Sequence, residues 1–151
     1  MSGILFDTSV YISALRRGDA SIFDLRRASR TGDRQTRPLW LSVVVLEELY
    51  VGAVNAQVRR DLQRLEREFL KVGRLLVPDR RDWTSAGQVL SKVGQKYGFN
   101  LVGKARLTND AVIAMSVASH GLTVQTKIPA TSSLLPSSVH SIGKQSEVWR
   151  S

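Results

Sequence analysis

Two aspartates and a pair of glutamates stand where this sequence could do chemistry. Asp7 follows a short apolar run, Gly3-Ile4-Leu5-Phe6, and precedes a helical stretch over Val10 to Leu15, with Thr8 and Ser9 at its start. That order predicts a carboxylate at the carboxyl end of a strand, within reach of helix amides and of solvent. An aspartate at such a place is also a favoured helix cap. Asp110 enters the first turn of a stretch, Ala111-Val112-Ile113-Ala114-Met115 to His120, that is apolar on nearly every side. A carboxylate there needs compensation, either from the helix N-terminus or from a ligand. Glu47 and Glu48 interrupt another apolar stretch. Adjacent residues on a helix point about 100° apart, so at most one of the two faces the sheet, and spacing does not choose between them.

Ionised carboxylates repel one another unless a cation neutralises them, which gives these acids a common use. The chain has no cysteine and only two histidines, so disulfides, thiolate zinc sites and cysteine nucleophiles are excluded and any metal must be held mostly by oxygen. Oxygen donors select Mg2+ or Mn2+. Such an ion can activate water and stabilise the charge on a phosphodiester under attack.

The elements that would position these residues read as strands alternating with helices. After the first strand and helix comes a basic helical stretch over Ser21 to Arg30, closed by Thr31-Gly32-Asp33. Pro38 opens a strand over Leu39-Trp40-Leu41 that stops at Ser42, and Ser42 as cap favours a helix over Val43 to Ala53 despite its valines. Val58, Leu62, Leu65, Phe69 and Val72 form an apolar stripe opposite Arg59, Arg60, Arg64 and Arg67, the clearest helical period in the chain. Leu75-Leu76-Val77 predicts a third strand, and Trp83, Ala86, Val89, Leu90, Val93 and Tyr97 a helix ending at Gly98. A loop over Phe99 to Arg106 leads to the Asp110 helix, capped by Thr108 or Asn109 and stopped by Gly121, and then to a strand from Leu122 to Thr126. The serine-rich tail from Lys127 to Ser151 reads as loop with an edge strand near Val139 to Ile142. The pattern is that of a parallel sheet of four or five strands flanked by helices, which places ligands beyond the carboxyl ends of its strands.

At 151 residues the chain has the size of one domain, expected to span residues 1–151. Twenty-two basic residues against 13 acids give a net charge of +9, which favours partners carrying phosphate. Arg26, Arg27, Arg30, Arg34 and Arg37 cluster near the first helices and are candidates for phosphate contact. No run approaches the about 20 apolar residues of a membrane span, and Asp7 falls where a signal peptide would be apolar, so no membrane association and a cytoplasmic location are expected. A Gly-x-Ser-x-Gly elbow and a glycine-rich phosphate loop with lysine are both missing from the sequence, which argues against a serine hydrolase and a nucleotide triphosphatase. A phosphoacceptor domain would want paired acids after the first strand, where Asp7 is followed by Thr8.

Three segments together resemble the PIN-domain family, in particular its VapC-type toxin ribonucleases. They are Ile4-Leu5-Phe6-Asp7-Thr8-Ser9-Val10, then Ser42 to Ala53 with Glu47-Glu48-Leu49-Tyr50-Val51-Gly52, then Asp110-Ala111-Val112-Ile113-Ala114 with Gly121 and Thr126. The resemblance covers residues 3 to 126, and the order of the motifs makes it more specific than any one of them. It implies a three-layer α/β fold, and an acid before Leu-x-x-Gly selects Glu48 over Glu47. Asp7, Glu48 and Asp110 become the implied metal ligands for Mg2+ or Mn2+, with Ser9, Asn109 and Thr126 in support, while Lys127 joins the arginines above as a candidate RNA contact. The implied activity is hydrolysis of RNA phosphodiester bonds by a metal-activated water, in a homodimer held inactive by a cognate antitoxin. One departure stands out: the family commonly carries Asp or Asn two residues after this threonine, and often a further acid shortly afterwards. Here the chain reads Thr126-Lys127-Ile128, with Thr131 further on. A site short of an acid should hold Mg2+ more weakly, which leaves the alternative of a catalytically weakened PIN fold that binds RNA or an antitoxin.

Overall fold

A computed structural model of the chain describes residues 3–19 and 37–126. Strand β1 (Ile4–Phe6) leads into helix α1 (Thr8–Arg16), and β2 (Leu39–Ser42) into α2 (Val43–Gly52) and α3 (Ala56–Lys71). Then follow β3 (Leu75–Leu76), α4 (Arg80–Tyr97), α5 (Ala105–Ser119) and β4 (Thr123–Gln125). The strands pair in parallel in the order β3-β2-β1-β4, with Ile4 opposite Leu39 on one side and Thr123 on the other. Five helices flank this four-stranded sheet among the described residues, the α/β architecture that strand–helix alternation predicts. From β1 the sheet grows one way to β2 and the other way to β4. Ligands gather beside such a reversal, at the carboxyl ends of the strands.

The core lies where apolar helix faces meet the short strands. Leu5 and Leu41 from the sheet, Val45 and Leu49 from α2, Leu62, Leu65 and Phe69 from α3, and Val112 and Val117 from α5 are all buried. The valines of Val43 to Val45 are helical because Ser42 Oγ accepts from Val44 N at 3.1 Å, which satisfies one of the first free amides of α2. Asp79 caps α4 in a reciprocal box with Asp82, and Gly98 ends that helix at φ 96.

The ends of elements depart from expectation. Val72 closes α3 as its C-cap and is 48% exposed, and Trp83 and Tyr97, at the two ends of the α4 stripe, are also exposed. A stripe is buried only where a neighbour covers it, and at these ends none does. The helix carrying Asp110 begins at Ala105 with Lys104 as N-cap, so neither Thr108 nor Asn109 is the cap. Ala105, Arg106 and Leu107 are adequate helix formers, and burial of Leu107 rewards the extra turn. Asp110 therefore sits in the second turn, where the N-terminal dipole has largely faded. The expected helix over Ser21 to Arg30, the edge strand near Val139 to Ile142, and Arg26, Arg27, Arg30, Arg34, Lys127, Ile128 and Thr131 lie outside the described residues.

Candidate functional site

Asp7 leaves β1 and caps α1: its Oδ1 accepts from Thr8 N at 2.7 Å and its Oδ2 from Ser9 Oγ at 3.3 Å. Its own amide donates to Gln125 O at 3.1 Å. With Phe6 paired to Gln125, the register carries Thr126, which is exposed, out of β4 beside Asp7. The cap and the candidate ligand are thus the same carboxylate, so one role does not displace the other.

Glu48 comes from α2. Thr8, buried in the first turn of α1, donates its hydroxyl to Glu48 Oε2. Asn109, in α5, donates from its amide to Glu48 Oε1 at 3.0 Å and to Glu47 Oε2 at 3.3 Å. Glu48 is half-buried and Glu47 exposed, as their angular separation on the helix requires. Three helices and two strand ends therefore meet around two carboxylates.

The electrostatics follow from that meeting. Burial pushes the Asp7 carboxyl above its ordinary value, and the charge of Glu48 pushes it further the same way. The Thr8 amide, the Ser9 hydroxyl and the cation of Arg106 pull against this without cancelling it. Two neighbouring carboxylates, the charge of one opposing ionisation of Asp7, with hydroxyl and amide oxygens around them, make a donor set of oxygen only. That chemistry suits a hard divalent cation, which asks for few protein carboxylates and keeps water in its remaining positions.

Sequence reasoning picked out Asp7, Glu48, Ser9, Asn109 and Thr126 from motifs, and these stand at or beside one another. Asp110 follows Asn109 on α5 and is half-buried. Among the described residues no group of three or more acid, histidine or cysteine side chains is gathered closely enough to hold an ion. Arg37 is exposed ahead of β2. Two residues went unmarked as participants. From sequence Thr8 is only the start of a helix, and its link to Glu48 spans 40 positions, which no local pattern signals. The sequence pattern puts Arg106 in a loop, and only the early start of α5 brings it toward Asp7.

No described helix is long and apolar enough to cross a membrane. A comparison of the sequence with family models matches the PIN domain over residues 4–127. No curated protein matches the chain. Among solved structures, a chain of DNA-bound VapBC from Salmonella typhimurium is similar, with a TM-score of 0.54 and 21% identity, over 83% of this chain and 86% of that one. At that identity the likeness concerns the fold. With its parallel sheet order, its acids after β1 and in α2, and a family match running from the first strand to the end of the last described one, the chain belongs to the PIN domain family.

Proposed function

We propose that this protein is a metal-dependent endoribonuclease and the toxin of a VapBC-type pair. The observation that carries the reading is the Thr8 bridge, which holds Glu48 against the acid-capped start of α1 and so keeps two mutually repelling carboxylates together at the carboxyl end of the sheet. Proteins of this family are generally nucleases, typically with divalent metal ions, and the fold neighbour is a VapBC complex. An antitoxin partner and a homodimer follow from the same resemblance.

Asp7 and Glu48 would hold Mg2+ or Mn2+; Asp110, the third ligand the resemblance implies, is not gathered with them and would join only if its side chain moved toward the ion. The ion, when bound, would supply charge neutralisation and make water a better nucleophile. The chain's own contribution is positional. Thr8 and Asn109 fix both oxygens of Glu48, while the Thr8 amide and Ser9 fix those of Asp7. Neither carboxylate then has to reorganise as charge builds on the scissile phosphate. Thr126, beside Asp7, has a hydroxyl suited to orienting water.

Incubation of the full-length chain with a mixed RNA pool and Mg2+ or Mn2+ should yield fragments that disappear in chelator and with Asp7→Asn. Equal cutting by the variant rejects the assignment. The second reading, a binding protein that no longer cuts, is favoured by Ile128 where the family commonly has Asp or Asn. RNA binding that persists in chelator, without cutting at any metal concentration, would establish it instead.

A further inference from the structure

Arg106 occupies the first turn of α5, one turn ahead of Asn109, whose amide touches Glu48. The helix itself disfavours a cation there, because the N-terminal end of the macrodipole is positive. Among the described residues no carboxylate lies within ion-pair distance of its guanidinium, and the side chain is exposed. Its charge nevertheless reaches Asp7 and opposes the effect of Glu48. This is a cation at the rim of an acidic site, near enough to be felt and not neutralised by contact.

The chain before Arg106 continues the same character. Lys104, the N-cap of α5, makes no side-chain capping bond and is exposed. It stands about 7.5 Å along the helix axis from Asn109 at the usual rise. The preceding turn is folded, since Phe99 O accepts from Val102 N at 3.1 Å and from Gly103 N at 3.3 Å. Phe99 is seated against Gly94, where an added Cβ would come within 2.4 Å of the ring, and yet remains 61% exposed. Gly94 thus works as a flat seat that holds an aromatic ring while leaving most of it in water. Burial does not account for a phenylalanine so placed, whereas stacking with a base would use its exposed face.

We propose that Phe99, Lys104 and Arg106 form a track along which single-stranded RNA reaches the Asp7–Glu48 pair, with Arg106 holding a phosphate beside the carboxylates and Phe99 stacking a base further along the strand. The proposal rests on the nuclease reading above. Two cations on the track match the phosphates in sign, and the exposed ring seated on Gly94 of α4 gives the stacking surface that an acidic peptide would not need.

The test is binding of a fluorescein-labelled uridine 12-mer to the full chain in chelator, followed by anisotropy over a range of NaCl concentrations. Phe99→Leu keeps apolar packing on Gly94 and removes the π face; it should weaken binding about 5- to 100-fold with the salt dependence unchanged. Arg106→Gln should weaken binding and lower the slope of log affinity against log salt by about 0.7. Arg106→Lys should restore that slope, and unchanged thermal midpoints should show that all three variants fold. Wild-type binding with neither Phe99→Leu nor Arg106→Gln affected overturns the track and leaves the nuclease reading standing. A wild type that neither binds this probe nor cuts RNA overturns both, and binding of polyglutamate that is lost with Arg106→Gln but untouched by Phe99→Leu assigns the surface to acidic protein instead.

Discussion

Thr8 and Glu48, forty positions apart, are joined by a hydrogen bond in which the threonine hydroxyl donates to Oε2 of the glutamate. The bond ties the first turn of α1 to the middle of α2, and because Asp7 caps α1 it also sets how far apart the two acids stand. Thr8→Val keeps the buried volume and removes the donor, leaving Asn109 to hold Glu48 alone on this side. Loss of such a supporting hydroxyl should lower metal affinity or RNA cleavage about 10- to 100-fold, and Thr8→Ser should recover most of it. Cleavage rates measured across an Mn2+ titration decide the matter; a Val variant with wild-type rates would remove Thr8 from the site.

A second buried carboxylate serves stability. Asp82 accepts from Asp79 N at 2.9 Å and from Ser119 Oγ at 2.8 Å, which pins the start of α4 to the end of α5. Ser119→Ala would leave one oxygen of a buried carboxylate without its donor, a change costing about 1–3 kcal/mol. Ser119 itself is exposed, so water can approach and the low end of that range applies, or a fall of about 2–4 °C in the thermal midpoint. RNA cleavage at 25 °C should not change. An unchanged midpoint would mean that the α4–α5 contact does not depend on this bond.

How far the sequence disclosed all this depended on whether the signal was local. Leu62, Leu65 and Phe69 repeat at helical spacing and are fully buried, so α3 could be read directly. Ser42 decided the ambiguous valines after it, because a cap is a one-residue signal with a geometric consequence. Asp7 was legible through its place at a strand end. Glu48 was not separable from Glu47 by periodicity, since the difference between them is which one meets Thr8 and Asn109 from other helices. Arg106 was hidden by a misplaced helix start: Thr108 and Asn109 are good caps, but burial of Leu107 carries the helix a turn further back. Contacts between distant segments and the competition between capping and burial are settled by packing, which no window of sequence contains.

Two glycines should answer substitution with opposite signs. Gly87 lies on the exposed side of α4 and an added Cβ would meet nothing within 4 Å. Gly87→Ala should stabilise the chain by about 0.5–1 kcal/mol, because a helical glycine loses more backbone freedom on folding. At Gly3 the added Cβ would fall 2.4 Å from Trp40 Cδ1 and 2.8 Å from Pro38 O. Trp40 lies across this glycine at the start of β1, so Gly3→Ala should cost about 1–3 kcal/mol. Urea titrations of the two variants give the comparison, and equal midpoints would contradict the packing described at β1.

Asp7→Asn links the site to stability. The folded chain holds the Asp7 proton more tightly than the unfolded chain does, since its carboxyl is raised above the ordinary 3.8 first by burial and then by Glu48. Between 3.8 and that raised value the folded state binds more protons, so stability contributed by this group is present at low pH and is lost as pH rises through the window. Asparagine still caps α1 and carries no charge to bury. In chelator the variant should therefore have the higher thermal midpoint at pH 7, and the advantage should vanish below about pH 3.8. Adding Mg2+ or Mn2+ should reverse the order at neutral pH. A ligand at 100 times its Kd stabilises the folded state by about 2.7 kcal/mol, and only the wild type has both carboxylates with which to bind it. Thermal midpoints at pH 3.5 and 7, with and without the ion, provide four comparisons. If the wild type is the more stable at pH 7 in chelator, or if both proteins gain equally from the ion, then Asp7 and Glu48 are not the pair that a cation brings to rest.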